Sequence, residues 1–337
     1  MRAFYISKHG GPEVCVYSTD YPDAVAKPGE VVLRVKASTL NYHDIFTRRG
    51  MPGITLPLPV VPGLDVAGEV VEIGANVEGW TIGDRVVVDP INRISRGIVG
   101  ETIDGGLAEY CVVPAHQLVR IPDNVDFDTA AVMPTAYATA LRMMFTNGRV
   151  SAGEKVGILG ASGGVGVCCV QLAKLVGAEV VAFASSADKL ARLKDLGADH
   201  VINYQEKDFL EEIHALYGKP SRRGPKSTNG LDVMINYTGG DSWVKSLKTL
   251  RVGGRVLTCG ATAGFDPVED IRYIWVFELQ ILGSNAYTRE DIEKCLELAS
   301  QGKLKALIDE TYTLENAAEA FARVEERRVL GKVVVRP

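Results

Sequence analysis

The sequence predicts an α/β protein of two domains, one built mostly of short strands and one a doubly wound parallel sheet. Three observations carry that prediction. The first is length: 337 residues exceed what one core usually fills, on a scale of about 150 residues per domain. The second is a change of rhythm after Pro122-Asp123. There, Val-rich runs separated by Gly, Pro and Asp turns give way to a helical pattern through Ala130, Ala131, Ala136, Ala138, Ala140 and Leu141. The third is the regular alternation of strand-like and helix-like segments from residue 155 onward, the signature of βαβ units.

Taken in order, residues 1–123 contain runs such as Glu30-Val31-Val32-Leu33-Arg34-Val35, and a turn at Thr81-Ile82-Gly83-Asp84 that feeds Arg85-Val86-Val87-Val88. These predict an antiparallel, barrel-like domain. Beyond 155 the pattern predicts strand Lys155–Leu159, helix Gly164–Val176, strand Glu179–Ala184, helix Lys189–Leu196 and a strand at Val201–Ile202. Further strands follow at Leu231–Tyr237, Gly254–Cys259 and Leu279–Gly283. Arg289–Gln301, Leu314–Arg327 and Lys332–Val335 change to a helix–helix–strand rhythm that returns to the first domain. The expected division is 1–124 with 284–337 for the outer domain, and 125–283 for the inserted one.

Composition narrows the function. A net charge of −5 and a pI near 5.7 argue against nucleic acid or an anionic membrane surface as the main partner, since both need a concentrated basic face. Small molecules are the expected partners. No apolar run reaches about 18 residues, and Met1-Arg2-Ala3-Phe4-Tyr5 enters strand-like sequence without signal-peptide features, so the cytoplasm is the expected compartment. Six cysteines (Cys15, Cys111, Cys168, Cys169, Cys259, Cys295) form no CxxC pair and read as reduced, inert core residues. Residues 217–227 interrupt the rhythm with Pro, Gly and four basic residues. They read as an exposed loop, solvated or in contact with a phosphate-bearing substrate.

The chemistry is carried by Lys155–Leu159, which leads into Gly160-Ala161-Ser162-Gly163-Gly164-Val165-Gly166 and then into the helix from Val167. Strand, glycine turn and helix stand in the order that brings a backbone close to a pyrophosphate and aims helix N–H groups at its charge. An acidic residue at the end of the second strand would select NAD through the ribose 2′-hydroxyl. Here that strand ends Ala182-Phe183-Ala184-Ser185-Ser186, with Lys189 and Arg192 close by, so NADPH is the expected cofactor. Asp188 is expected to cap the following helix.

These and further motifs resemble the medium-chain dehydrogenase/reductase superfamily, in particular its zinc-independent quinone oxidoreductase-like branch. They are Lys8-His9-Gly10-Gly11-Pro12-Glu13, Asn41-Tyr42-His43-Asp44 with Arg49-Gly50, Pro62-Gly63-Leu64-Asp65-Val66-Ala67-Gly68, Gly83-Asp84-Arg85-Val86, Gly105–Tyr110 and Leu196–Tyr204. The resemblance covers nearly the whole chain. It implies a GroES-like catalytic domain, a Rossmann NADPH-binding domain and a homodimer. It also implies cofactor contacts at Asp44, Thr135, the turn from Gly160 to Val165, Ser185, Lys189, Tyr204, the strand-end region Asn236–Thr238, Gly260, Ala261, Ser284 and Asn285. Zinc-dependent relatives place a Cys where this chain has Asn41 and a His-Glu pair where it has Leu64-Asp65, so no metal is expected.

Without a Lewis acid, reduction of a conjugated carbonyl compound, a quinone or an enone, is the chemistry the resemblance implies, because conjugation spreads the developing charge onto an oxygen that hydrogen bonds can hold. Asn41, Tyr42 and His43 are the candidate donors, and Asp44 fixes the loop or meets the nicotinamide ribose. Quinone-reducing relatives carry a Tyr where this chain has Phe46, and enoyl-thioester-reducing relatives carry one near Met51, which leaves Tyr42 or solvent to deliver the proton. An enoyl-CoA or acryloyl-CoA reductase, and an NADPH-binding protein with little turnover, are the alternatives.

Overall fold

A computed structural model describes residues 1–51, 56–222 and 228–337. The chain divides into two compact units, Met1–Ala138 with Thr288–Pro337, and Thr139–Tyr287. The first boundary falls beyond residue 124 because the helix Phe127–Val132 stays with the first unit, and the second falls after Tyr287. Its buried Ala130, Ala131 and Val132 lie on a face that meets strands Glu30–Leu40 and Asp65–Ile73. Asp126 starts that helix by accepting the Thr129 N–H at 2.6 Å.

The first unit is a mostly-β domain. Among the described residues a seven-stranded sheet runs in the order Ile308–Thr313, Lys332–Arg336, Glu30–Leu40, Asp65–Ile73, Arg85–Val88 and Leu118–Arg120, with Tyr110–Pro114 also paired to Glu30–Leu40. All neighbours are antiparallel except Ile308–Thr313 with Lys332–Arg336. The period of two sends Val31, Leu33 and Val35 into one cluster with Val66, Val70, Val86 and Val113. Leu40 joins a second cluster with Phe4, Ile45, Phe321 and Val335. Each such buried side chain contributes about 1.5–3 kcal/mol relative to exposure. The registers Val333↔Leu40 and Thr39↔Asp65 bring Lys332, Asn41 and Asp65 to one place on the sheet.

Among the described residues of the second unit six parallel strands lie in the order His200–Asn203, Glu179–Ala184, Lys155–Ile158, Leu231–Ile235, Leu250–Thr258, Gln280–Gly283. The chain builds outward from Lys155–Ile158 to one side, then returns and builds to the other. That is the doubly wound order, with its switch point beside the first strand. Val180 to Ala184 are all buried, as a strand covered on both faces requires. One expectation needs correction. The helix after the second strand is Ala187–Asp195 with Ser186 at its N-cap, so Asp188 sits in the first turn, where its charge meets the helix dipole, and does not cap the helix. Helix Phe209–Tyr217 closes at Gly218 with φ 79°. Of the 217–227 loop, residues 223–227 lie outside the described residues. Among the described residues no helix is long and apolar enough to cross a membrane.

Candidate active site

In the first unit a polar cluster forms where three strands meet. Asp65 is fully buried, and its carboxylate accepts from Thr39 Oγ1 at 2.7 Å, Asn41 Nδ2 at 2.8 Å, Lys332 Nζ at 3.1 Å and the Thr135 N–H at 2.9 Å. Lys332, itself buried, also donates to Leu40 O at 2.9 Å and to Asn41 Oδ1 at 2.5 Å. Two opposite charges out of water hold only when their remaining hydrogen-bonding groups are satisfied, as they are here.

Asn41 is also the N-cap of helix Tyr42–Arg49. Asp44, three residues on, takes the Asn41 N–H at 2.7 Å and the Gly63 N–H at 2.9 Å on its two oxygens. Burial pushes its carboxyl up to about 6 despite those bonds. Asp44 is fully buried, and with these two bonds it fixes the loop.

Tyr42 is half-buried, edge-on to Phe46 with ring centroids 5.1 Å apart, and the Arg327 guanidinium lies 6.0 Å from its ring centre. His43 Nε2 is hydrogen-bonded to a carboxylate oxygen of the buried Glu101. Burial alone would lower the imidazole pKa, but the hydrogen bond and charge of Glu101 outweigh it and raise the value. Glu101 escaped the sequence reading because it lies 58 positions from its partner. Thr135 belongs to Met133–Ala138, where the helix widens to a π-type turn. Such widening often marks a functional position. Its Oγ1 is buried without a hydrogen-bond partner among the described residues, as a group awaiting a ligand would be.

In the second unit the glycine turn has the form a phosphate requires. Gly160 has φ 72°, open to glycine at no steric cost. A Cβ on Gly166 would lie 2.5 Å from Gly160 O and 2.6 Å from Tyr237 Oη. Tyr237, in the strand-end region that the resemblance implies as a cofactor contact, donates its hydroxyl to Gly160 O at 2.6 Å and braces the turn. The helical ladder begins with Val167 N–H to Gly163 O at 2.9 Å, so the N–H groups of Gly164 and Val165 precede it. Ser162, Gly163, Gly164 and Val165 are half-buried at this mouth, whereas Ala161 is fully buried with its N–H on Phe183 O at 3.2 Å. The turn therefore fits a pyrophosphate held by backbone N–H groups.

Because parallel strands end at one edge, the other expected contacts gather there. Ser185 follows the second strand, Lys189 is half-buried in the next helix, and the exposed Tyr204 follows the third strand with its N–H on Ala184 O at 3.2 Å. Gly260, Ala261 and Asn285 are exposed beyond the fifth and sixth strands, and Ser284 is buried with its Oγ accepting from Asn147 at 2.8 Å. Asn236 follows the fourth strand at the same edge. It is fully buried, its oxygen takes the N–H groups of Thr238 and Gly239, and its nitrogen serves Ser242 and Ser246. All four of its hydrogen-bonding positions are used, so its side chain shapes the loop and has none left for a ligand.

Comparison with known proteins agrees with this architecture. The alcohol dehydrogenase GroES-like domain family matches residues 27–123, and the zinc-binding dehydrogenase family matches residues 164–301. The chain is 30% identical over 332 residues to the quinone oxidoreductase of Homo sapiens, covering 96% of this chain and 94% of that protein. It is 30% identical over 346 residues to the acryloyl-coenzyme A reductase of Sulfurisphaera tokodaii, covering 97% and 98%. A crystal structure of an NAD-dependent alcohol dehydrogenase superposes with a TM-score of 0.91 at 36% identity, covering 100% of both chains.

The residues present do not fit the zinc that the second family's description implies. Leu64 has no donor atom, and the Asp65 carboxylate is already engaged by an ammonium that would repel a divalent cation. Among the described residues no group of three or more His, Cys, Asp or Glu is placed to hold a metal ion.

Proposed function

Since the chain belongs to the medium-chain dehydrogenase/reductase superfamily and is an oxidoreductase of that kind, we propose that it is a zinc-independent, NADPH-dependent reductase of a conjugated carbonyl compound, a quinone or an enone. The observation that carries the reading is the second unit's carboxyl edge. A glycine turn there suits a pyrophosphate, and the next strand ends in Ala184-Ser185-Ser186 with Lys189 following. No carboxylate at that strand end repels a 2′-phosphate, and an ammonium nearby favours one. When bound, NADPH supplies the hydride. Thr135 Oγ1, Ser185 and Lys189 orient the cofactor, and Asn41, Tyr42 and His43 offer hydrogen bonds to the acceptor oxygen as its charge grows. The His43–Glu101 pair, with an imidazole held protonated to higher pH, suits delivery of the proton.

Similarity to the acryloyl-coenzyme A reductase favours a second reading, in which the conjugated carbonyl is a CoA thioester. NADPH oxidation by the purified protein, with quinones, simple enones, enoyl-CoA thioesters and saturated aldehydes offered separately under chelation, decides between them. Turnover of the first two supports the proposal, and preference for thioesters supports the second reading. Reaction with aldehydes alone, or loss of activity on chelation, defeats both.

A homodimer and a cytoplasmic location belong to the same proposal. Among the described residues the strand Gln280–Gly283 ends the parallel sheet with one edge open, and Phe265, Val268, Ile271 and Trp275 are exposed in the stretch before it. Such a strand beside apolar surface suits pairing with a second copy. The six cysteines are all free thiols, the state a reducing compartment maintains.

A further inference from the structure

Lys332 is 3% exposed and directs its ammonium to three acceptors, Leu40 O, Asn41 Oδ1 and Asp65 Oδ2. An ammonium can only donate and an ionised carboxylate can only accept. The Asn41 amide lies between them, so it has one orientation, oxygen toward Lys332 and nitrogen toward Asp65. Asp65 takes one N–H of Nδ2, and the second N–H is what the half-buried amide offers to a ligand. Were the amide to turn over, it would offer an oxygen, which repels a developing oxyanion.

We propose that Lys332 is a positioning residue for the reduction: with Asp65, it fixes the Asn41 amide with its nitrogen as the hydrogen-bond donor to the acceptor oxygen. This rests on the reading of Asn41 as such a donor. The sheet supplies the means. Lys332 precedes Val333, which pairs with Leu40, and Asn41 follows Leu40, so antiparallel register alone sets the two residues opposite each other. Thr39 pairs with Asp65 on the other side.

The test compares wild type, Asn41→Ala, the double variant Lys332→Met/Asp65→Asn and the triple combination, assayed with NADPH and 1,4-naphthoquinone or cyclohexenone. Asp65→Asn avoids leaving a buried carboxylate unpaired and, being both donor and acceptor, no longer dictates the orientation of Asn41. Asn41→Ala is expected to lower kcat roughly 10- to 100-fold, and the double variant roughly 10-fold, with the dissociation constant for NADPH unchanged. The triple variant should be no slower than Asn41→Ala. A double variant with wild-type kcat and only a lower Tm overturns the inference and leaves Lys332 a structural residue. Unchanged kcat in Asn41→Ala, or a wild type without turnover, removes the donor reading and this inference with it.

If the double variant does not fold, Lys332→Arg and Lys332→Gln replace it. Arginine only donates and should keep most of the turnover, whereas glutamine, which also accepts, should lose it. Equal kcat in these two overturns the proposal.

Discussion

His43 Nε2 is hydrogen-bonded to the carboxylate of Glu101, and Glu101 is 4% exposed. A carboxylate this far from water stabilises the imidazolium facing it, so the His43 pKa is raised above that of an ordinary histidine although burial opposes it. Because the folded value is raised, the pair's contribution to stability is complete below the unfolded pKa of about 6.5 and is lost as pH rises through the folded value. Glu101→Gln should therefore lower the His43 titration midpoint in NMR and destabilise the protein more at about pH 5 than at about pH 9. An unmoved midpoint would show that the pair is not coupled in solution.

Asp44 gives a second pH signature, in a different window. Its carboxyl is raised by burial to about 6, so its neutral form is favoured in the folded state. The associated stability is present below the unfolded value of about 3.9 and is lost as pH rises to the folded value, amounting to about 3 kcal/mol at most. Urea unfolding of wild type and Asp44→Asn across that range should show wild type losing ground to the variant as pH rises. A constant difference between the two would contradict the assignment.

Gly166 tests the phosphate turn. Gly166→Ala places a methyl 2.5 Å from Gly160 O and 2.6 Å from Tyr237 Oη, and neither the backbone nor the braced phenol can move without opening the turn. Fluorescence titration should show the dissociation constant for NADPH rising roughly 10-fold or more. Binding as tight as wild type would separate the turn from the cofactor.

Cofactor choice is expected to depend on the end of the second strand. Lys189→Ala should raise the KM for NADPH roughly 10-fold while sparing NADH, and Ser185→Asp should shift preference toward NADH. Steady-state kinetics with both dinucleotides checks this. Equal losses for the two would argue against a 2′-phosphate contact.

The open strand edge predicts the assembly. Sedimentation velocity should show a dimer for wild type and a monomer for Ile281→Asp, whose side chain is 43% exposed on that strand. A wild-type monomer would reject the pairing.

The strand, glycine turn and helix of residues 155–176 were legible in the sequence because their function is local. A phosphate is held by backbone groups a few positions apart, and glycine at Gly160 and Gly166 is written directly into the chain. The alternation of strands and helices likewise declared the doubly wound sheet, and hence that Ser185 and Tyr204 reach its carboxyl edge with the turn. The position of Asn236 at that edge was readable, whereas the four bonds that exhaust its side chain were not. Lys332 and Glu101 carried no local signal, and Tyr237 declared its place at a strand end but not the bond it makes. Their partners lie 291, 58 and 77 positions away, and a lysine before three valines reads as any strand entry. The sequence by itself determined the fold class, the nucleotide turn and the strand-end chemistry, since each depends on neighbours along the chain. The orientation of Asn41, the raised pKa of His43 and the bracing of Gly160 were decided only by the tertiary structure, which sets distant side chains against one another out of water.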